Sequence, residues 1–131
     1  MIKLRELIEV DSDDTAGILI MHENKYLLCL RTGDGYWSIP KGHIHYNEEP
    51  IEGAIRELSE ETQIFLNGTP KFLQKYEKDN SGHFHVFEFK TQKRFVPRLN
   101  FEHTTWGYFG LKELPQPLDK YLIDIFRNEN K

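Results

Sequence analysis

The sequence predicts a layered α/β or α+β domain, and three observations carry that prediction. Two apolar runs near the start, residues 16–21 and 25–31, have the length and composition of strands. Apolar residues recur at helical spacing in the middle of the chain, at Ile51, Ala54, Ile55 and Leu58. A second helical stretch closes the chain after the breaker Leu114-Pro115-Gln116-Pro117. Strands interrupted by one helix and closed by another pack as a sheet covered by helices.

Each element has its own local signal. Residues 16–21 form a continuous apolar run that reads as a buried strand, and His22-Glu23-Asn24 turns the chain into the strand 25–31. A polar, glycine-containing loop over 32–36 leads to Trp37. Residues 40–64 read as a loop followed by a helix, with Pro50 in the first turn, where its missing N–H costs nothing. Ile51, Ala54, Ile55 and Leu58 form the expected core-facing stripe of that helix. After a turn at Asn67-Gly68, residues 72–78 and 83–90 read as a hairpin closed by Asp79-Asn80-Ser81-Gly82. A short strand over 105–110 and a last helix over 118–128 complete the expectation. The 131 residues are read as one domain, with no repeat or low-complexity tract.

Composition excludes several classes. A hydrophobic content of 38% with 29% charged residues describes a globular chain rather than a disordered one. A net charge of −4 argues against a stable nucleic-acid partner, whose binding surface would be basic. No run approaches the roughly 18 apolar residues of a membrane helix, and residues 1–10 are too charged for a secretion signal. The single cysteine, Cys29, lies among leucines and reads as a buried thiol, which with the rest points to a cytoplasmic setting. Oligomeric state is not legible at this level.

The chemistry concentrates at Arg56-Glu57-Leu58-Ser59-Glu60-Glu61, fourteen residues after Gly42. Glu57, Glu60 and Glu61 stand at i, i+3 and i+4, neighbours on a helix surface, and repel by about 0.2–0.5 kcal/mol per pair. A divalent cation turns that repulsion into attraction, and oxygen ligands favour Mg²⁺, Mn²⁺ or Ca²⁺ over Zn²⁺. Glutamate-rich helices are most often solvated faces. The flanking residues decide against that reading here.

Those residues are Gly42, then Glu48 after five positions, then Arg56-Glu57-Leu58 after seven more, followed by Glu60, Glu61, Gln63 and Ile64. The pattern resembles the Nudix box, Gly-x5-Glu-x7-Arg-Glu-U-x-Glu-Glu-x-Gly-U, where U is a bulky aliphatic residue. Eight of nine defined positions match, and Gln63 stands where the family has glycine. That glycine suits a left-handed helix end, so glutamine there is expected to affect stability rather than catalysis. The resemblance implies the Nudix fold, a mixed β-sheet sandwiched between helices. It also implies that Glu57, Glu60 and Glu61 hold Mg²⁺ or Mn²⁺, with the Gly42 carbonyl as a further ligand and Arg56 bracing the glutamates. Gly42, lacking a Cβ, permits a sharp turn and a close approach of backbone to metal or phosphate.

Outside the box, Trp37-Ser38-Ile39-Pro40-Lys41-Gly42-His43 resembles the loop of Nudix enzymes acting on diadenosine and diphosphoinositol polyphosphates. Lys41 is read there as a phosphate contact, and His43 is placed beside the phosphates. The segment Glu102-His103-Thr104-Thr105 resembles the Glu-His stretch of small diadenosine tetraphosphate hydrolases, which makes Glu102 a catalytic candidate. Among the aromatic residues Tyr76 is taken as a substrate-binding ring, suited to stacking on a nucleobase. His43-x-His45 and His83-x-His85 raise zinc as a minor alternative.

The reading that results is a pyrophosphohydrolase dependent on Mg²⁺ or Mn²⁺, acting on a small-molecule nucleotide. Its catalytic set is Arg56, Glu60, Glu61 and Glu102, with Glu57, Glu60, Glu61 and Gly42 as metal ligands. A diadenosine polyphosphate is the first expected substrate. The alternatives are ADP-ribose, a nucleoside triphosphate, an RNA 5′ end, or a non-catalytic nucleotide-sensing module.

Overall fold

The computed structural model of the chain describes residues 11–129. Residues 1–10, read above as no secretion signal, lie outside them. The elements are β1 (Asp11–His22), β2 (Lys25–Arg31), β3 (Trp37–Ser38), β4 (Lys41–His45), α1 (Pro50–Thr62), β5 (Lys71–Glu77), β6 (His83–Lys90), β7 (His103–Phe109) and α2 (Lys120–Glu129). Seven strands form one sheet in the order β3-β2-β1-β6-β5, with β4 paired to β1 and β7 paired to β2. β1 runs parallel to β6 and antiparallel to β2 and β4, so the sheet is mixed.

β1 is longer than its apolar run. Its first half pairs with β4 through Asp11 and, after a register shift over the polar Ser12-Asp13-Asp14, through Thr15, Ala16 and Gly17, while its end pairs with β2. β3 and β4 occupy what reads in sequence as a loop. The short β3 pairs Ser38 and Trp37 with Cys29 and Leu30 of β2. Backbone pairing to neighbouring strands, rather than an apolar alternation of their own, makes these segments extended.

The sheet buries both faces. Ala16, Ile18 and Ile20 of β1 pack with Ala54 and Leu58 of α1 and with Phe87 and Phe89 of β6. Leu19, from the same strand, packs on the opposite side with Phe84, Val86, and Leu122, Ile125 and Phe126 of α2. A strand buried on both faces needs an unbroken apolar run, which is what β1 and β2 carry.

α1 begins as expected at Pro50, with the Glu49 N–H donating to Glu52 Oε1 at 2.8 Å. Its buried side is Gly53, Ala54, Leu58, Glu61 and Thr62. Ile55 departs from the predicted stripe and is 38% exposed. The stripe continues from Leu58 to Glu61 and Thr62, which carries a carboxylate onto the core face. The helix ends at Gln63 in the left-handed region, φ 58° and ψ 28°, its N–H donating to the Ser59 carbonyl at 2.9 Å. No described helix is long and apolar enough to cross a membrane.

Candidate functional site

Helix geometry splits the three box glutamates. Glu61 is buried with 1% exposure, Glu57 is half-buried, and Glu60 lies on the exposed side with its carboxylate on Arg56. The group whose oxygens gather is Glu57, Glu61 and Glu102, with ligand atoms all within 4.8 Å of one another. Glu102 arrives from the loop before β7. That loop is fastened to the end of α1: the Asn100 N–H donates to the Glu61 carbonyl at 3.1 Å, and Asn100 Oδ1 accepts the Glu102 N–H at 2.9 Å. Gly42 faces the cluster across from Glu57. A Cβ at Gly42 would fall inside contact distance of the Glu57 carboxylate, so the missing side chain is what lets β4 and α1 close here. Gly42 makes no turn; it sits within the ladder opposite Ala16.

Arg56 ties the carboxylates together. It grips Glu48 through Nε and Nη2 at 2.8 and 3.1 Å, and Nη1 reaches Glu57 at 3.0 Å and Glu60 at 2.9 Å. Its Nη2 also donates to the His43 carbonyl at 2.9 Å, joining the helix to β4. The two-toothed contact to Glu48 is the strong form of such a pair. It holds the Glu48 carboxyl below the ordinary range. Glu52 is not among the partners of Arg56 and serves the helix start.

Glu61 is the most perturbed member. Burial first, then the adjoining Glu57 carboxylate and the charge of Glu102, push it up to about 10. Its Oε1 receives only a long 3.4 Å contact from the Lys41 N–H, and its Oε2 is buried without a hydrogen-bond partner. His103 lies beside it, Nδ1 3.6 Å from Oε1, and burial followed by the charge of Arg31 brings that imidazole down to about 4. A buried carboxylate among carboxylates is unfavourable unless a proton or a cation joins it. The donor set is all oxygen, which suits a hard divalent cation. The residues present therefore fit such an ion.

On the other face of β4, Lys41 and His43 point away from Gly42. Lys41 Nζ lies 4.5 Å from the Phe84 ring centre and 3.3 Å from Asp119 Oδ2. Burial lowers its pKa, and Asp119 offsets part of that. Asp119 also accepts from Arg31 Nη1 at 2.9 Å and caps α2, taking the Tyr121 N–H at 2.8 Å. Arg31, Asp34, Tyr36, Lys41, Asp119, Lys120 and Tyr121 line a cleft of about 600 Å³. His43 lines an adjoining cleft of about 370 Å³ with Asp13, Lys78, Asp79 and Tyr121. Tyr76 lines neither cleft: its hydroxyl donates to Asp124 at 2.6 Å and its ring tilts against Tyr121. Sequence reasoning missed Asp119 and Arg31. An aspartate ahead of a helical run was the available signal, since it is a favoured cap.

The histidine pairs do not converge. Asp14 takes up His85 at 2.9 Å and the His83 N–H at 2.8 Å, and among the described residues the glutamates alone form a ligand group. Cys29 is buried, and its thiol is raised to about 12 by burial and the charge of Glu61.

A family model of the NUDIX domain matches residues 11–128. The chain belongs to the NUDIX family. It is thus a Nudix hydrolase, of the pyrophosphohydrolase class. Among curated relatives, a mouse bis(5′-nucleosyl)-tetraphosphatase (asymmetrical) is 31% identical over 99 residues, covering 68% of this chain and 67% of its own. A probable DHNTP pyrophosphohydrolase of Lactococcus lactis is 26% identical, covering 91% of this chain and 76% of its own. Among solved structures, a MutT protein from Methanosarcina mazei superposes with a TM-score of 0.76 at 25% identity, over 90% of this chain and 94% of its own. An Ap4A hydrolase from C. elegans shares the Nudix fold, with a TM-score of 0.70 at 20% identity over 88% and 95% of the two chains.

Proposed function

We propose that this Nudix hydrolase splits a pyrophosphate bond in a nucleoside diphosphate linked to a second moiety, using Mg²⁺ or Mn²⁺. A dinucleoside tetraphosphate of the diadenosine type is the first substrate in line. The observation that carries this reading is the Glu57, Glu61 and Glu102 cluster with its unpartnered buried oxygen. These three would hold the cation, with the Gly42 carbonyl and Glu60 as further candidate ligands. The chemistry such an ion supplies is polarisation of phosphate oxygens and acidification of water.

The chain's own residues do the rest. Arg56 holds Glu57 and Glu60 in fixed geometry and ties their helix to β4. Glu102, the exposed member of the cluster, takes the proton of the attacking water in this reading. Lys41 and Arg31 offer N–H donors to phosphate oxygens, with Asp119 keeping both in place until substrate arrives. The two clefts share Tyr121, which suits a substrate with a moiety at each end of a phosphate chain. The activity of the mouse relative, a bis(5′-nucleosyl)-tetraphosphatase, supports the tetraphosphate. The Lactococcus relative's wider coverage favours a triphosphate as the second reading.

A panel of nucleotide pyrophosphates, with and without Mg²⁺ or Mn²⁺ and with products resolved by chromatography, separates these. Metal-dependent conversion of diadenosine tetraphosphate to ATP and AMP, ahead of ADP-ribose and the triphosphates, is expected. A preference for a triphosphate, releasing pyrophosphate, would overturn the substrate and keep the site. Tight nucleotide binding without turnover on any panel member would overturn the enzymatic reading in favour of a sensor.

A further inference from the structure

His103 and Glu61 are both at least nine-tenths buried, at 6% and 1% exposure, and each carries a buried atom without a hydrogen-bond partner. The two unmet atoms are His103 Nδ1 and Glu61 Oε2. Nδ1 is aimed at the other carboxylate oxygen, Oε1, across 3.6 Å. That is just beyond hydrogen-bond length, so a shift of a few tenths of an ångström closes it. The placement is built by the backbone. Asn100 links the loop before His103 to the Glu61 carbonyl, and His103 itself is paired with Arg31 in the sheet.

We propose that His103 is a positioning residue: its Nδ1–H donates to Glu61 Oε1, and so holds Oε2 toward the cation. This rests on the metal reading given above and adds the group that orients its buried ligand. The Lys41 N–H reaches Oε1 too, at 3.4 Å, so both donors address one oxygen and leave the other open. An imidazole carrying its proton on Nδ1 is a donor there. Without this donor Glu61 can rotate, and the cation loses an oriented oxygen. Groups that orient metal-binding carboxylates typically contribute 10- to 100-fold to affinity.

The test compares His103→Asn, whose side-chain N–H falls near the position of Nδ1, with His103→Leu, which fills the space and donates nothing. Mn²⁺ affinity is read from the signal of free Mn²⁺ by electron paramagnetic resonance, with thermal unfolding recorded alongside. The expected result is Mn²⁺ binding about 10- to 100-fold weaker in His103→Leu and within about threefold of wild type in His103→Asn. Equal affinity in wild type and a folded His103→Leu overturns the proposal, and so does His103→Asn binding as weakly as His103→Leu. Should the leucine variant not fold, His103→Ala takes its place: weaker binding there with wild-type affinity in His103→Asn supports the proposal, and equal affinity in all three proteins overturns it. Wild-type protein that binds no Mn²⁺ overturns the metal reading itself, and this proposal with it.

Discussion

A single methyl group at Gly42 tests the geometry of the carboxylate cluster. Gly42 is paired with Ala16 inside the sheet, so its backbone cannot withdraw without breaking the ladder. An alanine Cβ there would stand 2.5 Å from Glu57 Oε1 and nearer still to the other two carboxylate atoms. Ordinary contact begins near 3.4 Å, so the Glu57 carboxylate must retreat by about 1 Å, a misplacement that costs on the order of 10²-fold in rate. Arg56 Nη1, 3.0 Å from Oε1, moves with it or is lost. The positive-φ glycines described are Gly35 and Gly82, so alanine at position 42 brings no backbone strain. Gly42→Ala is therefore expected to keep its melting temperature within about 4 °C, the shift that roughly 1 kcal/mol produces. Its kcat/KM on the best substrate should fall about 10²-fold. Steady-state kinetics at saturating Mg²⁺ and calorimetry check the two halves. The shorter carboxylate of Glu57→Asp relieves the overlap, so the double variant should recover part of the loss. A folded Gly42→Ala with wild-type kcat/KM would refute the reasoning, because it would show that Glu57 need not stand where it does.

Gln63 and Asp119 offer two further tests. The left-handed backbone at Gln63 costs a non-glycine residue about 1–2 kcal/mol, so Gln63→Gly should gain about 1 kcal/mol after glycine's own entropy loss. Its melting temperature should rise by roughly 4 °C with turnover unchanged; a large gain in activity without a gain in stability would refute this. At Asp119, burial raises the pKa, but Lys41, the Tyr121 N–H and Arg31 outweigh it and hold the carboxyl below 3.8. A depressed folded value means stabilisation that is present above the unfolded pKa of about 3.9 and lost as pH falls through the folded one. Urea unfolding across acidic pH should show the wild type losing stability below about pH 4, with Asp119→Asn less stable at neutrality and flatter in acid. Parallel curves for the two proteins would refute it.

The elements that local chemistry specifies are legible in the sequence. Pro50 opens α1, the apolar runs of β1 and β2 mark strands buried on both faces, and Asp79-Asn80-Ser81-Gly82 closes a hairpin. What local pattern does not encode is long-range pairing. The parallel alignment of β1 with β6 joins residues about seventy positions apart, and β4 is a strand because β1 offers it an edge. The site divides along the same line. The spacing of Glu57, Glu60 and Glu61 points to a shared patch, yet the packed helix turns Glu61 inward and leaves Glu60 to Arg56. Glu102 enters the cluster through a loop whose path depends on Asn100 meeting the end of α1. Asp119 gathers Arg31 and Lys41 across nearly eighty or more residues of chain. No local signal names those partners.

The pleat of β4 works as a partition. Gly42 faces the carboxylates of α1, while its neighbour Lys41 faces Asp119 and the rings of Phe84 and Tyr121 near the start of α2. In the proposed reading, bond cleavage and ligand choice fall on opposite sides of one strand. Exchanges around Tyr36, Lys120 and Tyr121 can redraw the shape of the cleft without disturbing an oxygen of the cluster. A fold wired in this way can keep one reaction while its descendants change what they cut.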